Sequence, residues 1–101
     1  RKVDSMKIIL IQKNIYISNK ETKVREYTNK FHSNIKPGIG DIIELPAFNS
    51  HRQFSKVQQV YLKFKQNECQ VILEDLITNT FSDVEEYNHT LINDGWSEEQ
   101  L

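Results

Sequence analysis

From Val60 to Glu74 the chain alternates with a period of two: Val60, Leu62 and Phe64 against Tyr61, Lys63 and Lys65, then Cys69, Val71 and Leu73 against Gln70, Ile72 and Glu74. A pleated ribbon carries one such row on each face, so the segment predicts an amphipathic hairpin turning at Gln66-Asn67. A lone hairpin cannot bury its apolar row, and further strands are required. The rest of the chain supplies them. Ile, Val, Tyr, Phe and Thr are abundant and Ala47 is the only alanine, a balance that favours extended backbone because β-branched and aromatic side chains fit a pleated, half-buried surface.

Lys7 to Gln12 reads as a strand buried on both faces, and Asn14 to Ser18 alternates around Ile15 and Ile17. Ser18-Asn19-Lys20-Glu21 has turn chemistry. In Lys20 to Phe31, Val24, Tyr27 and Phe31 fit a helical period while Thr22, Val24 and Glu26 alternate, and strand is the preferred reading. Pro37-Gly38-Ile39-Gly40-Asp41 breaks the chain, since proline fixes φ and glycine admits positive φ. A strand leaves it through Ile42 to Leu45 and stops at Pro46, and residues 46–55 form the longest loop, where function is expected to sit.

Beyond Asp75 the period changes to that of a helix. Ser82 and Glu85 have the spacing of a capping box, Val84, Tyr87, Leu91 and Ile92 make one apolar stripe, and Gly95 is placed to end the helix in the left-handed conformation. A length of 101 residues supports one hydrophobic core and not two. The expectation is a single α+β, mainly β domain over residues 1–101: 1–5 frayed, 6–77 a small bent antiparallel sheet or SH3-like β-barrel of five to six strands, 82–95 one C-terminal helix, and 96–101 a tail. The chain begins with Arg1, which suggests a fragment or processed form with Met6 as a candidate start. Its Ile-, Lys- and Asn-rich composition suits an AT-rich genome, such as that of a low-GC bacterium or its mobile elements.

The net charge of -1 conceals a division. Residues 1–66 hold all 13 basic side chains against five acids, giving +8, whereas residues 67–101 hold nine acids and no Lys or Arg, giving -9. Either the acidic part folds over the basic part and neutralises it, or the two occupy separate faces and make the molecule a dipole. The acids at 83, 85 and 86 lie in the helix's first turn, where the macrodipole stabilises each by about 0.3–1 kcal/mol without any partner.

Chemical motifs are few. No apolar run approaches the roughly twenty residues of a membrane span, and no signal peptide is visible, so the expected location is cytoplasmic, with no membrane partner. Cys69 is the single cysteine and excludes an internal disulfide. His32, His51, His89 and Cys69 lack metal-ligand spacing, so no metal is expected; Asn88-His89-Thr90 is a glycosylation sequon by chance. Gly38-Ile39-Gly40 lacks the third glycine of a dinucleotide fingerprint and reads as a turn. Asp41, His51 and Ser50 or Ser55 could meet around the long loop, but no spacing enforces it. No catalytic residues and no cofactors are expected, and the chain reads as a non-enzymatic binding domain.

Nucleic acid is the leading ligand. Small barrels bind single strands by pairing a cationic groove with aromatic faces. The candidate surface is Lys56, Tyr61, Lys63 and Lys65 on the central hairpin joined to Phe48, His51, Arg52 and Phe54 of the loop. With three arginines in the chain, contact is expected to be sequence-neutral, because arginine is the usual base reader. The alternative is a regulatory or inhibitory accessory protein of a phage or mobile element, docking on a host or phage protein through a sheet edge or through its acidic helix, with Glu85, Glu86 and Trp96 at the contact. Trp96 reads equally as the anchor of the helix on the sheet.

Overall fold

The computed structural model describes residues 5–48 and 51–99; the expected fraying of residues 1–4 and the end of the tail, 100–101, lie outside the described residues. Strands β1 (Met6–Ile17) and β2 (Thr22–Ser33) form a long hairpin closed at Ile17 and Thr22. Ser18 holds the turn. Its N–H donates to the Glu21 carbonyl at 2.9 Å, and its Oγ accepts from the Lys20 and Glu21 N–H groups at 3.2 Å each.

Along β1 the inward row is even-numbered: Ile8, Leu10, Gln12 and Asn14 are buried, and Ile15 and Ile17, which carried the expected alternation, face outward. Ile8 and Leu10 sit in the core, and their parity fixes the whole strand, since a one-residue slip would exchange its faces. The two buried amides have distant partners. Gln12 Nε2 donates to the Glu74 carbonyl at 2.6 Å, and Asn14 Nδ2 donates to Asn88 Oδ1 at 2.7 Å.

Strands β3 (Ile42–Phe48) and β4 (His51–Lys63) are antiparallel and meet at Phe48 and His51. The expected loop over 46–55 is therefore mostly strand. Pro46 does not stop β3; it falls in a register shift between Leu45 and Phe48 on a sheet edge, where a missing N–H removes no interior ladder bond. A second irregularity lies at Gln58, so that Val57 opposite Leu73 and Val60 opposite Val71 both turn inward although three residues apart. After Lys63 the chain makes a 3-10 turn (Phe64–Gln66) with Asn67 at φ 54°. The expected two-residue turn would need positive φ at Gln66 as well. The longer turn takes Phe64 out of the inward row and leaves it exposed.

Strand β5 (Glu68–Leu73) pairs antiparallel with β4 and parallel with β1, and β6 (Leu76–Thr78) continues beside β1 in the same sense. The sheet is therefore mixed, where an all-antiparallel one was expected. The break between β5 and β6 is sealed by side chains: the Glu74 carbonyl accepts from Gln12 Nε2 and from Ser55 Oγ at 3.2 Å.

Helix α1 (Phe81–Asn93) begins one residue before the expected start, at a Thr80 cap with no side-chain hydrogen bond. Ser82 lies inside the first turn, so no capping box forms. Phe81 instead fastens this end, edge-on to Tyr16 at 5.4 Å. The buried stripe is Val84, Tyr87, Asn88 and Leu91, with Ile92 exposed. At the other end the Gly95 N–H donates to the Ile92 carbonyl at 3.1 Å and the Trp96 N–H to the Leu91 carbonyl at 3.0 Å, with Gly95 at φ +97°: a Schellman motif, with Trp96 and Leu91 both in the core. The expected tail contains β7 (Ser97–Glu99), paired antiparallel with β2 at Glu26 to Thr28.

The strand order is β3-β4-β5-β1-β2-β7, with β6 also on β1. This is the expected mainly β, bent sheet with one helix, in seven strands, curled as an open half-barrel with edges at β3 and β7. The core lies on the concave side, where Tyr87, Leu91 and Trp96 meet Ile8, Leu10, Tyr27, Val71 and Leu73.

Candidate nucleic-acid interface

The acidic segment meets the basic one at the N-terminal half of β2. Arg25 lies 3.6 Å from both Glu85 of α1 and Glu98 of β7, Thr28 Oγ1 donates to Glu99 Oε1 at 2.9 Å, and Lys23 Nζ stands 5.2 Å from the centre of the Phe81 ring. The Tyr27 hydroxyl, which donates to Glu98 at 3.5 Å, is pushed up by burial.

The opposite ends of the strands are different. Pairing sets His32, Lys7, Glu68 and Lys63 in one row across β2, β1, β5 and β4, with Lys30 two residues before His32 and Lys65 two after Lys63. Lys36 joins them at a shallow cavity of about 270 Å³ whose lining includes Met6, Asn34 and Phe64. Lys7 and Lys63 thus flank Glu68, which lies 3.9 Å from Lys63, while Lys30, Lys36 and Lys65 lie at the same end of the strands. Tyr16, opposite Lys23, is nine residues from Lys7 along β1, about 30 Å. Ionic screening acts over roughly 8–10 Å, so the Arg25 ion pairs do not reach Lys7 or Lys63, whereas Glu99, held at Thr28, is two residues from Lys30. Both charge readings hold in part: Arg25 is neutralised internally, and the far pole stays positive.

Aromatic rings are exposed at this pole: Phe64 by 73%, Tyr61 by 50% and Phe31 by 41%. Of the surface expected from the sequence, Tyr61, Lys63 and Lys65 are here. Lys56 is seven residues back along β4, about 23 Å away, and exposed Arg52, His51 and Phe54 are farther still, toward the β3–β4 turn. Phe48 is half-buried, edge-on to Tyr87 at 5.6 Å. The expected single patch is thus two separate regions, because the presumed loop and the hairpin strand are one continuous β4. Phe31, Lys7, Lys30 and Lys36 were missed. Only the parallel β1–β5 pairing brings them beside Lys63, and no local pattern encodes it.

The other expected contacts are mostly engaged internally. Trp96 is 4% exposed in the core, so it anchors the helix and presents no face to a partner. Glu85 is held by Arg25, and Glu86 is exposed. Asp41 Oδ2 accepts from the Gly38 N–H at 2.8 Å within the Gly38–Gly40 turn, Ser55 is committed to the Glu74 carbonyl, and Ser50 lies outside the described residues. Burial pushes the Cys69 thiol up, with Lys36 acting weakly in the other direction. Among the described residues no group of three His, Cys, Asp or Glu side chains could hold a metal ion, and no helix is long and apolar enough to cross a membrane.

Comparisons with known protein families, with curated proteins and with solved structures find no match.

Proposed function

We propose that this chain is a non-enzymatic module that binds single-stranded nucleic acid, without sequence preference, at the cationic end of its half-barrel. The observation that carries the reading is exposed Tyr61 on the same outer face as Lys7, Lys30 and Lys63, with exposed Phe31 and Phe64 and with Lys36 at the same end of the strands. Stacking on an exposed ring contributes about 1–3 kcal/mol per base, and any base has a face to stack. Lysine meets phosphate as a point charge and does not read base edges by a planar fork. Arg25 is ion-paired and Arg52 is remote, which supports backbone and stacking contact over base readout. The alternative, docking of a protein on the acidic helix, has less to support it, since Glu85 and Trp96 are used inside the molecule.

Fluorescence anisotropy with single- and double-stranded oligonucleotides tests this. The expected result is micromolar binding that favours the single strand and weakens with salt, at a log–log slope of about −3 if some four phosphates are contacted. Absence of salt-sensitive binding at micromolar protein would overturn it.

A further inference from the structure

We infer that the opening between β4 and β6 is a slot for an extended segment of a partner protein, one that carries a lysine or arginine and joins the sheet as an added strand. Strands β4 and β6 run in opposite directions and do not pair. Beyond Glu74 they part, and two adjoining cavities of about 160 and 220 Å³ lie between them, both lined by Gln53, Leu76 and Tyr87. Backbone groups on the two sides lack partners. Val57 makes its backbone bonds on the β3 side, its N–H donating to the Asp41 carbonyl at 2.8 Å and its carbonyl accepting from the Gly40 N–H at 2.9 Å. Alternate residues point the other way, and the Lys56 carbonyl accordingly accepts from the Glu74 N–H at 2.9 Å. Phe54, next in that series, faces the opening, and its N–H and C=O meet no backbone partner among the described residues. On the other side, β1 keeps one unbroken register with β2, and its Lys7 N–H donates to the Asn67 carbonyl at 3.0 Å, so the odd-numbered residues of β1 bond toward β5 and β6. Ile15 therefore bonds to Leu76 and Thr78, and Ile77 between them directs its N–H and C=O to the opening.

Unpaired N–H and C=O groups on facing edges are what an added strand satisfies, which makes the occupant an extended peptide. Charge identifies the side chain it brings. Glu74 and Asp75 line one cavity and Asp83 the other, with Lys56 as the cation among the lining residues, and none of the three acids takes part in an ion pair among the described residues. A hydrogen-bond donor is called for deeper in. Gln12, 1% exposed, lines the first cavity, and its Oε1 has no partner among the described residues, a state that buried acceptors seldom keep. The slot lies at the end of β4 away from Lys63, and the inference does not depend on the nucleic-acid reading.

Fluorescence anisotropy and amide hydrogen exchange on the full chain test it, with labelled, end-capped hexapeptides of alternating Thr and Val that carry one Lys at each position in turn. At least one lysine peptide is expected to bind saturably and to slow exchange at the Phe54 and Ile77 amides, while its counterpart with Glu in place of Lys does not bind. Methylating alternate backbone nitrogens of the peptide, which removes the donors of one edge, should abolish binding. Asp75→Asn combined with Asp83→Asn, verified to fold by thermal melts, should weaken it roughly threefold to tenfold. Failure of every lysine peptide to bind, equal binding of the Glu peptide, binding that survives methylation of either edge, no added protection at Phe54 and Ile77, or an unchanged affinity in the double variant would overturn the proposal.

Discussion

Gly95 shows what one residue does here. At φ +97° it lets the chain leave α1 so that Trp96 can turn into the core while the Leu91 and Ile92 carbonyls keep donors. A Cβ at this position meets no atom within 4 Å, so Gly95→Ala is expected to lower stability through the backbone alone, by about 1–2 kcal/mol. A thermal melt should then fall by several degrees, and Gly95→Asn should lose less. Tyr87 gives a pH dependence. Burial raises its hydroxyl to about 12, so the folded state holds that proton more tightly than the unfolded state. This contribution is complete below pH 10 and is lost as pH rises from 10 through 12. Tyr87→Phe should flatten stability across that window, as denaturant titrations at alkaline pH can measure. The part played by Gly95 was legible in the sequence, because few residues tolerate a positive φ. The inward turn of Gln12 and Asn14 was not, since their partners Glu74 and Asn88 lie 62 and 74 residues away.

At the scale of elements, the contacts that hold the helix on the sheet include one buried amide pair and, just past the helix end, one buried indole. Loss of Trp96 to Ala should cost about 3–5 kcal/mol, read as a lower denaturation midpoint. Asn14→Ala and Asn88→Ala each remove one partner of a buried hydrogen bond and strand the other, for about 1–3 kcal/mol each. Their double variant should lose less than the two singles together, because the second change removes a group already orphaned. Local period was enough to read β5 and α1, since each carries its own apolar row, while β2, whose Val24 and Tyr27 fall on opposite faces, was read as strand from its Thr22, Val24, Glu26 alternation and the turn at Ser18. The extension of β3 through Pro46, the 3-10 turn after Lys63 and strand β7 escaped that reading. Each depends on a neighbour brought in by the rest of the fold: the edge position of β3, the chain reversal at Asn67, and the open side of β2 that receives Ser97 to Glu99.

Over the whole molecule the division of charge along the sequence becomes a division in space, though a partial one. The acidic segment settles on Arg25, about 23 Å along the strands from Lys7, and leaves the lysine end with Glu68 as the carboxylate in its row. Three members of the candidate interface, Tyr61, Lys63 and Lys65, were visible in the alternating hairpin. Lys7 and Lys30 needed the parallel pairing that sets Lys7 beside Glu68. Phe64→Ala should weaken single-strand binding by one stacked base, about 1–3 kcal/mol in an anisotropy titration, without changing its salt slope. The most direct test is to map amide chemical-shift changes by nuclear magnetic resonance as a short single-stranded oligonucleotide is added. The account predicts changes concentrated at Met6 to Lys7, Phe31 to Lys36 and Tyr61 to Asn67, and quiet amides over α1. Changes centred instead on His51 to Lys56 or on the helix, with the lysine end unmoved, would contradict it.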